Sequence, residues 1–253
     1  MTKLLVIGVD GATWKVIKPN LDSLPNLKKM IEEGASGTIV LPEGEAVISP
    51  AIWTTMFSGV PGSQHGHEKY VKNGELQKRE DIPVKFCWDL LPDKIVALQV
   101  PFIIPPYNWN CDYMPPGFGA SKEEGELHQD VAGITAKAKE ILAANPECAI
   151  VCYNHLDRVQ HFHWGEGEYI LEWYKLIDEQ IGQLIGKAEK TIIISDHGFC
   201  GVGEARTNTL PKVAADGQHL KGDHHEEAII ITKGIGHEIT HPADVFKTIM
   251  EMF

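Results

Sequence analysis

The segment 3–11, KLLVIGVDG, contains a short apolar run that ends in a polar Asp10-Gly11 turn. We interpret residues 3–9 as a buried central strand. Similar short apolar runs recur along the chain and alternate with amphipathic helical stretches. This alternation is typical of a mostly parallel sheet flanked by helices, so the sequence predicts an α/β fold.

The same patterns predict the other elements. Further strands are predicted at 38–41, 95–100, 149–153, 191–195 and 228–232. Helices are predicted at 24–33, 49–59, 168–185 and 241–253, and the pattern at 168–185 is the longest. At the start of the second of these helices, Ser49 suits the N-cap and Pro50 the first helical position.

The chain of 253 residues is long enough for one α/β domain with a sizeable core, and we predict a single domain over 1–253. Two segments fit the alternation poorly. Residues 61–83 are polar with mixed charges, and residues 100–126 are rich in Pro, Gly and aromatic side chains. Loops of this length in a compact domain are usually functional or disordered. We therefore predict active-site loops at 61–83 and 100–126.

The composition narrows the range of partners. The formal net charge of -12 argues against a nucleic-acid polymer, because binding one requires clustered Lys and Arg. It does not exclude an anionic substrate, since bound divalent metals invert the local field. The apolar runs are all far shorter than the roughly 20 residues of a membrane span, so no membrane partner is expected. The five cysteines form no CxxC pair, as expected of a reduced, cytoplasmic protein.

Potential metal ligands follow three of the predicted strands. They are Asp10, Asp157, Asp196 and His197, and the pair His224-His225 lies just before the strand at 228–232. Because ligand sites of open α/β sheets lie at the carboxyl ends of the strands, these side chains are expected to converge at one edge. His161 follows Asp157 by four residues, a spacing that lets both side chains reach one ion.

Each of these residues also has an ordinary structural interpretation. An Asp after a strand is more often a turn or helix cap than a ligand. His161 alone is compatible with an exposed helix or loop, and Ser49 alone with a helix N-cap. The occurrence of the whole set in this order is hard to explain by capping, so we predict a metal site.

In several segments the sequence resembles the type I phosphodiesterase/nucleotide pyrophosphatase branch of the alkaline phosphatase superfamily, especially its compact prokaryotic members. The matching segments are VIGVDGA at 6–12, SPAIWTTMFSGVPGSQHGH at 49–67, VPFIIPPY at 100–107, LDRVQHFHWG at 156–165, SDHGF at 195–199 and GDHHEEAIII at 222–231. The resemblance runs nearly end to end. It implies a three-layer α/β/α fold of the alkaline phosphatase type.

By this resemblance, two groups of side chains hold two divalent ions. The groups are Asp10, Ser49, Asp196 and His197, and Asp157, His161 and His224, with His225 less favoured than His224. Mixed imidazole and carboxylate ligands suit Zn, with Mn or Fe as alternatives. Ser49 would be the nucleophile of a metal-dependent phosphoric ester hydrolase that forms a phosphoserine intermediate. Backbone N–H groups at the start of its helix would contact a phosphoryl oxygen.

Two positions depart from the family's pattern. Nucleotide pyrophosphatases commonly carry an Asn after the His-Gly of the nucleophile segment, where it binds a phosphoryl oxygen. Residues 65–70 here are HGHEKY, and the candidates for this contact are His67, Lys69 and Asn73. Pro50 stands where an aromatic residue often stacks on a nucleobase, which weakens a preference for nucleotides.

We therefore predict a phosphodiesterase/nucleotide pyrophosphatase-like enzyme that acts on a small phosphate ester. A phosphomonoesterase remains an alternative, and so does a phosphoglycerate mutase-like enzyme, although its usual inserted domain fits this length poorly. A sulfatase is disfavoured because residues 49–53 lack the Pro/Arg pattern. The alternative outside enzymes is a metal-dependent ligand-binding protein on the same fold, disfavoured because all seven expected side chains are present. Residues 8–11 do not form the GxGxxG of a dinucleotide-binding protein.

Overall fold

The structure is a computed structural model that describes residues 1–206, 210–214 and 217–253. The strands in these ranges are β1 (Thr2–Val9), β2 (Ala35–Val40), β3 (Val71–Lys72), β4 (Glu75–Leu76), β5 (Ile95–Val100), β6 (Tyr107–Trp109), β7 (Cys148–Tyr153), β8 (Ala188–Ile194), β9 (Gly198–Gly201), β10 (Gly222–His225) and β11 (Glu227–Lys233). The α-helices are α1 (Trp14–Ile17), α2 (Pro25–Glu33), α3 (Ser49–Ser58), α4 (Gly62–His65), α5 (Cys87–Leu90), α6 (Glu124–Ala143), α7 (His155–His163), α8 (Gly167–Leu184) and α9 (Ala243–Met252). Short 3₁₀ helices span Lys18–Ser23, Arg79–Asp81 and Pro116–Gly119.

The main sheet contains seven strands in the order β2-β11-β8-β1-β7-β5-β6. Its four central strands, β8, β1, β7 and β5, are parallel to one another. The flanking strand β11 runs antiparallel to both β8 and β2, and β6 runs antiparallel to β5. The prediction of an α/β fold around a mostly parallel sheet is confirmed.

The central strand β1 divides its side chains between two hydrophobic cores because successive residues of a strand point to opposite faces. Leu5 and Ile7 belong to the core that contains residues of α2, α6 and α8. Leu4 and Val6 belong to the core that contains residues of α3, α5 and α9. Both faces of the sheet are therefore covered by helices, which gives the three-layer α/β/α arrangement.

Helix α3 is buried along its whole length between the sheet and α9. Apolar residues surround its axis, which is the pattern of a helix without a solvent face. Gly8 of β1 allows its close approach: a Cβ atom at Gly8 would lie 2.6 Å from the Trp53 ring. The Trp53 Nε1 then donates to Asp10 Oδ2 at 3.0 Å. This packing fixes the start of α3 beside the carboxyl end of β1.

Three local expectations were wrong or incomplete. The longest described helix is α6, with 20 residues, whereas the predicted longest helix is α8, with 18. Helix α6 begins inside the segment predicted as a loop over 100–126, which also contains β6. The segment 61–83 contains α4 and the β3-β4 hairpin. Among the described helices, none is long and apolar enough to cross a membrane.

Candidate active site and metal centre

The predicted ligands lie together at the carboxyl ends of the central strands. The turn after β1 carries Asp10 and then Gly11, whose φ of 71° suits glycine. A Cβ atom on Gly11 would lie 3.0 Å from the Cα of Asp157, so this turn packs directly on the first turn of α7. The Asp157 N–H donates to the Asp10 carbonyl at 3.2 Å. The chain ends of β1 and β7 therefore hold these two carboxylates side by side.

Asp157, His161 and His224 form one compact group. Asp157 Oδ1 lies 3.1 Å from His161 Nε2 and 3.2 Å from His224 Nε2. The two Nε2 atoms are 3.1 Å apart. Asp157 and His161 share one face of α7 because they are four residues apart, and His224 arrives from β10. The structure thus brings together the three residues that the sequence assigns to one ion.

The second predicted group surrounds Ser49. Its Oγ lies 3.4 Å from Asp10 Oδ1 and 3.3 Å from His197 Nε2. His197 Nε2 is also 3.3 Å from Asp196 Oδ2 and 3.8 Å from Asp157 Oδ1. Asp157 therefore stands between the two groups, a position that the sequence assignment does not include. Ligand atoms of Asp10, Asp157 and His197 lie within 4.8 Å of one another.

The three histidines are held in the same way. Each Nδ1 lies within hydrogen-bonding distance of a backbone carbonyl: His161 with Gly222 at 3.2 Å, His197 with Gly198 at 2.9 Å, and His224 with Val47 at 2.8 Å. A carbonyl oxygen only accepts, so each Nδ1 carries a hydrogen and each Nε2 is directed toward carboxylate oxygens and the other rings. Burial holds the pKa of His197 well below its ordinary value, whereas for His224 the hydrogen bond and charge of Asp157 outweigh burial and raise the pKa. Nδ1 on a backbone carbonyl and Nε2 toward the carboxylates is the usual orientation of metal-binding histidines.

The buried carboxylates also fit a cation. Asp196 Oδ1 accepts from the Gly11 N–H at 3.2 Å, whereas Oδ2 is buried without a hydrogen-bond partner among the described residues. Burial, with a contribution from Asp157, raises the pKa of Asp196 to about 7. Burial and then the charges of Asp196 and Asp157 raise the pKa of Asp10 well above its ordinary value. A divalent ion would remove this repulsion, so the residues present fit the predicted metal site.

Ser49 is not the N-cap that the sequence predicts. The N-cap of α3 is Ile48, and Ser49 is the first helical residue, without a capping hydrogen bond from a side chain. The Ser49 hydroxyl therefore faces Asp10 and His197 instead of a backbone N–H. This register also reduces the backbone donors, because Pro50 has none and the Ala51 N–H already donates to the Ile48 carbonyl at 3.0 Å. Among residues 49–51, only the Ser49 N–H remains for a phosphoryl oxygen.

The sequence assignment missed Tyr70. Its hydroxyl donates to the Pro101 carbonyl at 2.8 Å and lies near the Ser49 side chain. Burial and then the nearby carboxylates, Asp10 first, raise the pKa of Tyr70 well above its ordinary value, so the hydroxyl keeps its proton. Tyr70 follows the His-Gly pair at 65–66 in the segment where the family's Asn is expected, which was the available signal.

The three residues proposed for that Asn contact lie elsewhere. His67 is buried, but its Nε2 donates to the Phe102 carbonyl at 2.7 Å. Lys69 and Asn73 are exposed. Within this segment, the side chain near Ser49 is therefore that of Tyr70 and not one of these three.

A cavity of about 210 Å³ adjoins the cluster. Asp10, Asp157 and His161 form its polar floor, and Tyr70 forms part of the wall. The rest of the wall comes from segments 101–106 and 119–122, from Arg158 and Phe162 on α7, and from Asn154, the N-cap of that helix. Both predicted loops thus contribute lining residues. A larger cavity of about 760 Å³ lies between segments 76–80 and 103–114, and its described lining includes none of the predicted ligands.

A mostly parallel α/β sheet with a metal-fitting Asp, His and Ser cluster at its strand ends defines the class of this protein. The chain belongs to the type I phosphodiesterase/nucleotide pyrophosphatase family, whose profile matches residues 4–231. This membership confirms the family resemblance within the alkaline phosphatase superfamily. Comparison with curated proteins gives no match.

Solved structures share the fold at low sequence identity. The phosphonoacetate hydrolase of Sinorhizobium meliloti 1021, in complex with phosphonoformate, is similar with a TM-score of 0.61 and 15% identity over 86% of this chain. The present chain covers 59% of that hydrolase. An inactive murine ectonucleotide pyrophosphatase/phosphodiesterase 5 in complex with AMP gives a TM-score of 0.66 and 12% identity, covering 100% of this chain and 95% of that one. The human counterpart gives 0.65 and 12%, covering 99% and 94%.

Proposed function

We propose that this protein hydrolyses small phosphoric esters, with a preference for diesters, at a two-metal centre and through a phosphoserine intermediate. The proposed metal groups are those predicted from the sequence: Asp10, Ser49, Asp196 and His197 for one ion, and Asp157, His161 and His224 for the other. Zn is the proposed metal, because imidazole and carboxylate ligands are mixed. The proposal includes one domain over 1–253.

The observation that carries the proposal is the environment of Ser49. Its hydroxyl is released from helix capping and lies between Asp10 and His197, at the edge of three clustered carboxylates. A serine that served only as a cap would direct its oxygen to a backbone N–H of its own helix. The family of the chain supports the same interpretation, since its description is that of a phosphodiesterase and nucleotide pyrophosphatase.

The reaction has two displacements at phosphorus. In the first, Ser49 Oγ gives up its proton and forms a bond to phosphorus while the bond to one ester oxygen breaks, and the departing oxygen takes up a proton from solvent and leaves as an alcohol. In the second, water breaks the Ser49 Oγ–P bond, which restores the hydroxyl and releases the phosphoryl product. Two divalent ions bound here would polarise the phosphoryl group and stabilise the charge on the attacking and leaving oxygens.

The protein's own donors hold the phosphoryl oxygens. The Ser49 N–H provides one contact at the start of α3, where the helix dipole favours an anion. Tyr70 provides the second, by turning its hydroxyl hydrogen from the Pro101 carbonyl toward the substrate. The cavity of about 210 Å³ suits a small substituent. AMP and phosphonoformate, bound in the structural neighbours, are likewise small phosphoryl or phosphonyl compounds.

The test compares hydrolysis of bis(4-nitrophenyl) phosphate and 4-nitrophenyl phosphate by the protein reloaded with Zn or Mn. Ser49→Ala removes the nucleophile. Ser58→Ala is the matched control, because Ser58 is also buried on α3 and its hydroxyl accepts from the Val60 N–H. A short incubation with substrate followed by acid quench and peptide mass analysis detects phosphate on Ser49.

We expect both substrates to be cleaved in a Ser49-dependent reaction, the diester faster, with Ser58→Ala active. A faster monoester reaction would keep the mechanism and change the assignment to phosphomonoesterase. Metal-loaded protein without Ser49-dependent turnover of either ester would overturn the proposal and favour a ligand-binding role on the same fold.

A further inference from the structure

Arg158 is a buried cation beside the proposed metal site. It follows Asp157 directly on α7, and it lines the cavity of about 210 Å³ together with Asp10 and His161. Its side chain is only 13% exposed. Burial of a guanidinium is costly unless its charge and its N–H groups are matched. The hydrogen-bond and charge partners of Arg158 therefore indicate whether its only role is to stabilise the fold.

The described contacts leave donors of this guanidinium without a partner. Nη1 donates to Asn154 Oδ1 at 3.3 Å, and Nη2 donates to the Ser121 carbonyl. Nε has no hydrogen-bond partner among the described residues and almost no accessible surface, so its hydrogen faces protein and not the cavity. Nη2 carries two hydrogens, and the Ser121 carbonyl takes one of them, which leaves the second for a ligand. A guanidinium with such a donor pairs well with a carboxylate or phosphoryl group.

Asp130, a carboxylate outside the metal groups, does not hydrogen-bond to Arg158. Asp130 Oδ2 is 3.9 Å from Arg158 Nη1, beyond hydrogen-bonding distance. Asp130 instead accepts from the Tyr113 hydroxyl at 2.7 Å and from His155 Nε2 at 3.2 Å. The hydrogen bonds of the buried cation therefore go to neutral groups, and Asp130 adds only an ion pair at 3.9 Å.

The remaining walls indicate the shape of a suitable anion. Ile103, Ile104 and Pro106 contribute apolar surface to the cavity, and Phe162 adds an aromatic ring. Lys122 also lines the cavity and places its Nζ 4.2 Å from the centroid of that ring. The volume lies below the roughly 300–1,000 Å³ typical of sites for drug-sized ligands. A short apolar substituent with a terminal anion matches these walls.

We infer that this cavity is a subsite for a second anionic group of the substrate and that the guanidinium of Arg158 recognises it. The inference rests on the proposed function, and it narrows the substrate class to small phosphoric esters in which one short substituent ends in an anion. Arg158 is the specificity-determining residue of this subsite. Arg158 takes no direct part in the two displacements at phosphorus.

The test measures the calorimetric Kd of matched phosphonates with the Zn-loaded protein. Propylphosphonate is the neutral-ended reference, 3-phosphonopropionate adds a terminal carboxylate, and propane-1,3-diphosphonate adds a terminal phosphonate. A charge-assisted pair is expected to tighten binding by about 10- to 100-fold for at least one of the two doubly anionic probes. Arg158→Gln is expected to bring this ratio close to one.

Two further variants sharpen the test. Arg158→Lys keeps the positive charge but replaces the fork with a single ammonium, so the ratio is expected to fall. Lys175→Gln removes an exposed positive charge on α8 that does not line the cavity, and it is expected to keep the full ratio. Because Arg158→Gln removes buried contacts, its circular dichroism and its Kd for propylphosphonate report whether it folds.

Equal Kd values for all three probes in the unsubstituted protein would overturn the inference without any variant. An unchanged ratio in folded Arg158→Gln, or in Arg158→Lys if the Gln variant does not fold, would overturn it as well, since the added anion would then bind elsewhere. Failure of the proposed function is separate, because it appears as absence of Ser49-dependent ester hydrolysis, which these binding measurements do not use.

Discussion

Substitution of His224 tests the proposed metal group at Asp157, His161 and His224. His224→Ala removes an Nε2 that lies 3.2 Å from Asp157 Oδ1 and 3.1 Å from His161 Nε2. It also removes the Nδ1–H that the Val47 carbonyl accepts at 2.8 Å. The adjacent His225→Ala is a matched control, because His225 Nδ1 accepts from the Glu227 N–H and belongs to neither group.

The structure separates two effects of His224→Ala. In metal-free protein, the Val47 carbonyl loses its donor, which lowers the free energy of unfolding by about 1–3 kcal/mol. In wild type, free Zn at 100 times its Kd adds about 2.7 kcal/mol to that free energy. Loss of a partner that only orients a ligand weakens metal binding by about 10- to 100-fold. If loss of the His224 ligand weakens Zn binding 10-fold, the stabilisation at the same Zn concentration falls to about 1.4 kcal/mol; if it weakens binding 100-fold, the stabilisation falls to about 0.4 kcal/mol.

Urea unfolding with and without Zn measures both effects, and metal analysis after dialysis gives the bound stoichiometry. We expect His224→Ala to retain less metal than wild type and His225→Ala to match wild type in metal content and in Zn-dependent stabilisation. If His224→Ala bound as much metal as wild type and gained the same stability from it, the assignment of this ligand group would be wrong.

Three further predictions concern Ser49, Tyr70 and His65. Ser49→Ala is expected to keep its metal, since the six other proposed ligands remain, and to lose roughly 10³-fold or more in kcat, measured by metal analysis and steady-state kinetics. Tyr70→Phe is expected to lower kcat about 10²-fold with little change in KM, because it deletes one donor to the phosphoryl oxygen. Burial lowers the pKa of His65 to about 4. Between about pH 4 and 6.5, His65 therefore stays unprotonated in the folded protein but takes up a proton in the unfolded chain, whose His titrates near pH 6.5. The contribution of His65 to the free energy of unfolding is complete above about pH 6.5, and it falls by at most about 3 kcal/mol toward pH 4. Urea unfolding across this pH range measures the change.

Controls make these outcomes decisive. Ser58→Ala and Tyr169→Phe change the same residue types outside the cluster and should keep kcat. Retained turnover in Ser49→Ala or Tyr70→Phe would contradict the assigned roles. His65→Gln should flatten the dependence of stability on pH between about 4 and 6.5, and an unchanged slope would mean that another group titrates there.

The central sheet could be predicted because its strands are short continuous apolar runs that few other structures accommodate. The prediction for 95–100 coincides with β5, and the other predicted strands differ from the observed bounds at their ends. Helix α6 escaped prediction, although Leu127, Val131, Ile134 and Ala138 form a buried stripe at helical spacing. It follows directly on a segment rich in Pro and Gly, whose composition outweighed that periodicity.

Within the candidate site, the residue types were predictable and their geometry was not. Strand ends in a parallel sheet must meet at one edge, which is why Asp10, Asp157 and Asp196 could be grouped from order alone. The position of Asp157 between both groups depends on how α7 packs on the turn at Gly11, a tertiary contact without a local signal. Tyr70 was overlooked for a related reason: its hydroxyl reaches Ser49 only because the chain folds back over the start of α3. The site roles and the single domain stay predictions.

The hydrogen bonds from the three histidines to backbone carbonyls have a consequence for protein engineering. Every amino acid carries the same carbonyl, so a substitution at 47, 198 or 222 leaves the acceptor itself in the chain. Gly198 and Gly222 are further restricted, because a Cβ atom there would lie 2.3 Å from the Glu227 carbonyl oxygen and 2.4 Å from the Phe199 ring. In a mutant library designed to alter metal preference, few substitutions at these three positions would therefore change how the rings are held. Such a library has to change the ligands themselves or the path of the main chain.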